Sequence, residues 1–218
     1  MYELSYHLKN NKLLYPHDLN ITFQNVTGFM KLYSDFNLKI NYPKSKSGID
    51  VRLFAGVWIK QPDIAEYGFT LAGGSSAYDY TYDQMYLGRN DNEGLMARQI
   101  STQDGFFKVP AFSGDFTSDV FLGAANFEIP VPKTPIAFFA DLGYLSKSDS
   151  LSAVDPFQYD GGVMIRMPND IFELYFPLFM SKQLDEQFAD GTKYADKITF
   201  MLNMHVLNLF ELMRKLEF

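Results

Sequence analysis

Cysteine is absent from the 218 residues, so the fold has no disulfide framework, no thiol nucleophile and no cysteine metal site. Basic charge is also short: 19 Lys and Arg against 26 Asp and Glu leave a net charge of −7, with a pI of about 4.9. Nucleic-acid binding rests on basic patches, so no nucleic-acid partner is expected. Histidine is limited to His7, His17 and His205 among few candidates for catalysis, and H-E-x-x-H does not occur. The helix-borne zinc site of metallopeptidases is therefore not on this chain. No apolar run approaches the ~18 residues of a transmembrane helix. No cleavable leader is expected at the start of this sequence, where Met1 runs directly into the alternating YELSYHLK.

What the chain has in quantity is aromatic residues, 21 Phe and 14 Tyr with a single Trp, and an apolar fraction of 47%. These favour strands and an ordered, packed chain. The mean hydropathy of −0.14 looks soluble, yet a barrel that alternates lipid-facing and lumen-facing residues gives the same average.

Alternation with period two recurs along most of the length. In GGVMIRMPNDIFELYFPLFMS, residues 161–181, a turn at Pro168–Ile171 pairs Met167 with Phe172, Arg166 with Glu173, Ile165 with Leu174, Met164 with Tyr175 and Val163 with Phe176. One face then carries Val163, Ile165, Met167, Phe172, Leu174 and Phe176. The other carries an Arg166–Glu173 pair beside Met164 and Tyr175. A second hairpin, FEIPVPKTPIAFFADLGY, pairs Val131 with Ile136 and sets Asn126 opposite Asp141. YELSYHL, DFNLKINY, IDVRLFAGVWIK and ITFMLNMHV alternate in the same way.

The rule yields roughly ten strands, and their 9–11-residue length matches a bilayer crossing. Connections alternate in kind: PND and PKTP are short, whereas NDNEGLMARQISTQDG and 147–156 are long and polar. The expected fold is all-β, an antiparallel up-and-down transmembrane β-barrel in one domain, 1–218. It closes with about ten strands or forms the C-terminal part of a larger barrel. The tail NLFELMRKLEF reads as a strand ending on Phe218 or, preferably, as a short helix with Leu209, Leu212, Met213 and Leu216 in a stripe.

The chemical inventory is thin. His7 and His205 fall on the polar strand face, where a hydrogen-bond network in the lumen is the expectation. Ser5 near His7, and His17 beside Asp18, lack the setting of an activated nucleophile. AGGSS at 72–76 is no phosphate loop and reads as a bulge or bend. Asp83, Asp91 and Glu93 lack calcium-loop spacing and read as a solvated acidic loop. Asn20 and Asn25 head N-x-[ST] triplets, a weak pattern. No catalytic, cofactor-binding or metal residue is assigned; Arg166 and Glu173 are the expected structural lumen pair.

Two stretches carry a resemblance. YDGGVMIRMPNDIFELYFPL followed by KITFMLNMHV resembles the closing strands of the bacterial surface-antigen family of barrel-assembly proteins, and FLGAANFEIPVP with IAFFADLGY resembles the preceding hairpin of the same family. YLGRNDNEGLMARQISTQDGFFK, IFELYFPLFMSK and LNMHVLNLF are similar to the C-terminal region of large bacterial zinc metallopeptidases of the alanyl-aminopeptidase type. That resemblance implies a non-catalytic membrane anchor or surface module in the outer membrane of a Gram-negative bacterium. It also implies contact with lipid and with an N-terminal peptidase domain of a longer chain, and it accounts for the absent leader. The Arg-Gly-Phe loop of barrel-assembly proteins is replaced by QDGFFK, which argues against insertion of other barrels. Two alternatives stay open: a soluble calyx holding an apolar molecule, with Val163, Ile165, Leu174 and Phe176 inward, and an outer-membrane enzyme using His7, His205 or Arg166.

Overall fold

The computed structural model describes residues 2–43, 47–61, 68–72, 96–110, 116–148, 154–167, 171–188 and 192–203. Eight long strands form a meander: β1 (Tyr2–Asn10), β2 (His17–Val26), β3 (Phe29–Asn41), β4 (Gly48–Lys60), β8 (Phe121–Pro130), β9 (Ile136–Ser146), β10 (Phe157–Arg166) and β11 (Phe172–Met180). Short strands are β5 (Phe69–Thr70), β6 (Gln99–Ile100), β7 (Thr117–Ser118) and β12 (Thr199–Leu202), with one-turn helices α1 (Lys182–Glu186) and α2 (Tyr194–Lys197). The main sheet has the order β1-β2-β3-β4-β8-β9-β10-β11-β12-β6, and β5 pairs with β7 separately. Every junction of that sheet is antiparallel except β12 with β6. The sheet is open: β1 pairs with β2 alone, and its outer edge has no partner among the described residues.

Both hairpin registers follow the alternation. Arg166 pairs with Glu173, Met164 with Tyr175 and Val163 with Phe176. Asn126 pairs with Asp141 and Ile129 with Phe138. The N–H of Val131 donates to Ile136 and that of Met167 to Phe172, which closes both turns. Connections 11–16, 42–47, 131–135 and 167–171 share one end of the sheet. The longer 61–120, 147–156 and 181–198 share the other, together with the tight 27–28 turn.

The two sides of each strand are buried unequally. Along β4, Arg52, Phe54 and Trp58 are buried while Leu53, Val57 and Ile59 are exposed. Along β9, Ala137, Phe139 and Asp141 are buried and Ile136, Phe138 and Leu142 exposed. Gln158, Asp160, Glu173 and Tyr175 continue the buried side, and Ile165 the exposed one.

What buries that side is the connection between β4 and β8. The expectation of a long polar surface loop fails for its described part. Residues 68–72 and 96–110 lie against the sheet as a plug, because the apolar run around Phe106 and Phe107 needs cover and the sheet's inward aromatics supply it. Phe69, Leu71 and Phe107 join Phe54, Trp58, Leu122 and Leu145 in one cluster. Phe106 joins Ala137, Phe139, Met164 and Tyr175 in another. Each such ring or branched chain contributes about 1.5–3 kcal/mol on burial. Gly143 gives the plug its close approach, since a Cβ there would lie 2.5 Å from Leu71 and 2.9 Å from Phe107.

The helices α1 and α2 were not expected. At 5 and 4 residues they are too short for a helical period to show in the sequence. The C-terminal tail lies outside the described residues.

A bulge between Gly161 and Gly162 shifts the β10–β11 register, so that Gly162 pairs with Pro177. A Cβ on Gly162 would lie 2.0 Å from the carbonyl oxygen of Phe176. Gly162→Ala is expected to destabilise the refolded chain by about 1–3 kcal/mol, the cost of overpacking. Urea unfolding measures it, and an unchanged midpoint would contradict the bulge geometry.

Candidate functional site

The strands' polar residues face the plug, and near the short-turn end the two leave a chamber of about 440 Å³. Its wall carries Lys39, Asp50, Arg52, Glu128, Arg166 and Glu173, with Phe106 of the plug among the lining groups. The expected Arg166–Glu173 pair is present, with Nε 2.9 Å from Glu173 Oε1. It belongs to a larger array. Arg166 Nη1 donates to Asp50 Oδ2 at 3.1 Å and Nη2 to Glu128. One guanidinium thus ties β10 to β4, β8 and β11, a use of its planar fork that a lysine could not copy. The Tyr175 hydroxyl donates to the other oxygen of Glu173.

A second cation, Arg52, is almost buried. Its Nε donates to Asp35 at 2.8 Å, and its Nη1 to the Asp104 carbonyl at 2.7 Å and to Asn126 Oδ1 at 3.2 Å. Arg52 therefore grips the plug's backbone from the wall. Lys108 on the plug does the reverse: fully buried, it reaches Asp141 Oδ1 at 3.1 Å and lies 3.5 Å from Glu128. Its ammonium lies 3.9 Å from the centroid of Phe106, a cation–π contact strengthened by the burial of both groups. The backbone N–H groups of Lys108 and Val109 donate to Asp160 Oδ2 at 3.1 and 2.9 Å. Asn126 donates to the Gly105 carbonyl at 2.9 Å, and Thr199 to that of Lys108.

The tip of the plug turns through left-handed backbone at Asp104 (φ 39°) and Phe106 (φ 49°). For a bulky residue such as Phe106 that conformation costs of order 1–3 kcal/mol, which the surrounding contacts must offset. Asp104 accepts from the Thr70 N–H and hydroxyl at 3.0 and 3.1 Å. Burial pushes its carboxyl above the usual carboxylate range, against the pull of Lys31, the Thr70 donors and Arg52.

The other sequence candidates do not assemble. His7 sits on exposed β1 and pairs with Asp18, Nε2 to Oδ2 2.9 Å, so the described part of its surroundings is no lumen network. Ser5 contacts Glu3 and Thr22 and makes no bond to His7. His17 contacts the Tyr15 carbonyl and the Phe36 ring. Asn20 and Asn25 lie within β2, paired on both sides. His205, Asp83, Asp91, Glu93 and residues 73–76 of AGGSS lie outside the described residues. Among the described residues no group of three or more His, Asp or Glu is arranged to hold a metal ion.

Asp160 and Lys108 carry the plug contact and were not singled out in the sequence. Asp160 shares the inward parity of Gln158 and Met164, which is a usable cue. Lys108 in FFKVP has none, since its partners are 33 and 52 residues away. What the arrangement can do is hold a plug by charge-assisted contacts and present a mixed-charge chamber below it. No protein-family model, curated protein or solved structure matches the chain.

Arg166→Met would leave Asp50, Glu128 and Glu173 facing one another without their shared cation. The expected loss is about 3–5 kcal/mol, as for breaking a buried ion pair, with Arg166→Lys recovering only part. Urea unfolding of both variants measures this; equal losses would remove the case for bidentate bridging.

Proposed function

We propose that the chain is a non-catalytic membrane-integrated β-domain, the anchor or surface module of a larger metallopeptidase-like protein in a bacterial outer membrane. One observation carries the membrane part: the aliphatic side of the sheet is exposed and the ionisable side buried. Leu142 at 42% and Ile165 at 40% exposure sit on the same strands as Asp141 and Asp160 at 0% and 1%, and Leu53 at 43% sits on β4 beside Arg52 at 6%. An aqueous surface does not favour that inversion, whereas a bilayer does. Strand lengths of 10, 11, 10 and 9 residues for β8 to β11 suit a crossing. The calyx alternative needs Ile165 inward and Glu173 in water, so these exposures count against it.

The edge of β1, without a partner among the described residues, fits the larger-barrel version of this reading. A bilayer demands that every backbone N–H and C=O find a partner, so further strands would complete the ring. The peptidase half of the proposal is supported by the sequence resemblance alone. On this reading catalysis belongs to the N-terminal part of the parent, and this region holds it at the membrane.

Leu142→Arg tests the membrane part. Placed in the middle of β9 and facing lipid, it is expected to cost about 2–4 kcal/mol for folding into vesicles. In a water-exposed position the same change is worth within ±0.5 kcal/mol. Folding yield and urea stability in phosphatidylcholine vesicles distinguish the two, and a neutral result would sink the membrane reading.

A further inference from the structure

The connection between β1 and β2 has a side that neither the plug nor the chamber uses. Leu13, Leu14 and Tyr15 follow one another at 88%, 57% and 54% exposure. Single exposed apolar residues are ordinary, but three in succession at a turn call for a function or a cover. None of the three lines the chamber, although Lys9, Asn10, Asn11 and Pro16 on either side of them do. They stand at the end of β1 to which exposed Tyr6 and Leu8 bring the apolar side of that strand.

The backbone of this turn is closed within the chain. The Leu13 carbonyl accepts from the Asn41 side chain at 2.6 Å, and the Leu14 carbonyl from the Asn41 N–H at 3.2 Å. His17 Nδ1 lies 3.1 Å from the Tyr15 carbonyl oxygen, and the Lys39 N–H donates to the Pro16 carbonyl at 2.9 Å. Four successive carbonyls therefore have donors inside the protein, and Pro16 has no N–H to satisfy. In water such carbonyls would find solvent donors; in an apolar layer they would not. The turn thus shows apolar side chains outward at little cost in unpaired backbone.

Charge at this end has one sign. Residues 9–16, KNNKLLYP, carry exposed Lys9 and Lys12 and no acid, in a chain of net charge −7. Exposed Lys133 lies in the 131–135 turn at the same end of the sheet. Apolar and aromatic residues flanked by lysines match the boundary of a bilayer, where side chains enter the acyl margin and ammonium groups meet phosphates.

We propose that the β1–β2 turn, residues 9–16, is an interfacial anchor for anionic phospholipid: Leu13, Leu14 and Tyr15 insert at the acyl margin and Lys9 and Lys12 gather negatively charged headgroups. The anchor deepens the membrane reading, and rests on it for the bilayer present at the short-turn end.

The absence of cysteine permits a site-specific test. Leu13→Cys carries a fluorophore that brightens and shifts to the blue in apolar surroundings, and a second chain carries it at Leu142→Cys on the exposed face of β9. Both are refolded into vesicles of equal phosphatidylcholine and phosphatidylglycerol, with a nitroxide-labelled tail on one lipid or on the other. The expected result is an apolar environment at both positions, with stronger quenching at residue 13 when phosphatidylglycerol carries the nitroxide. Local enrichment of that lipid is expected to reach up to about fivefold for each lysine engaged. Adding Lys9→Gln and Lys12→Gln is expected to remove the preference at residue 13. A probe at 13 that stays in water while that at 142 reports lipid, or quenching indifferent to the labelled lipid, overturns the anchor and leaves the membrane reading standing. A probe at 142 in water with one at 13 in lipid, still preferring phosphatidylglycerol, sinks the spanning reading and keeps the turn as a peripheral anchor. Water at both positions overturns both.

Discussion

Ionisable side chains on the covered face of a sheet need partners, and that constraint governs most of what this chain does. Arg52, Asp141, Asp160 and Glu173 are each at or below 6% exposure, in a setting where an isolated charge would cost several kcal/mol. The strands satisfy part of this among themselves through Arg166, which gathers carboxylates from β4, β8 and β11. The remainder is met by the plug, which delivers one ammonium and a row of backbone N–H and C=O groups. Wall and plug are therefore mutually dependent. The wall's polarity is tolerable because the plug is there, and the strained tip of the plug is held because the wall grips it.

The plug is secured by two kinds of force at two levels. Around Phe69, Leu71 and Phe107 it is an apolar core with Trp58 and Leu122, non-directional and strong. Around Asp104 to Val109 it is a set of directional polar contacts, where geometry decides the strength. The chamber near the short-turn end lies beside the polar part.

The hairpins were legible because alternation has one period and the prolines mark where it breaks. Once Met167 was set against Phe172, every pair down to Val163 and Phe176 followed, and Asn126 met Asp141 by the same logic. The Arg166–Glu173 pair was legible for that reason, while Asp50 and Glu128 were not, because they reach Arg166 across intervening strands. The plug was not legible at all. QDGFFK is polar at one end and apolar at the other, a mixture that local rules read as loop. Its burial depends on a sheet face assembled from residues up to 52 positions distant. His7 misled because its alternation is right but the inward side of β1 is exposed, with no cover from the described part of the plug.

The central claim is that the exposed aliphatic face is solvated by acyl chains, and contact with those chains is directly measurable. The only tryptophan, Trp58, is buried under Phe69 and is replaced by Phe; Leu142 on the exposed face of β9 is replaced by Trp. The chain is then folded into vesicles of lipids brominated along their acyl tails. Strong quenching of the new tryptophan, deepest with bromines near the bilayer centre, is the predicted result. Fluorescence indifferent to bromine, from a chain that stays folded in water without lipid, would contradict the account and turn the face outward to solvent.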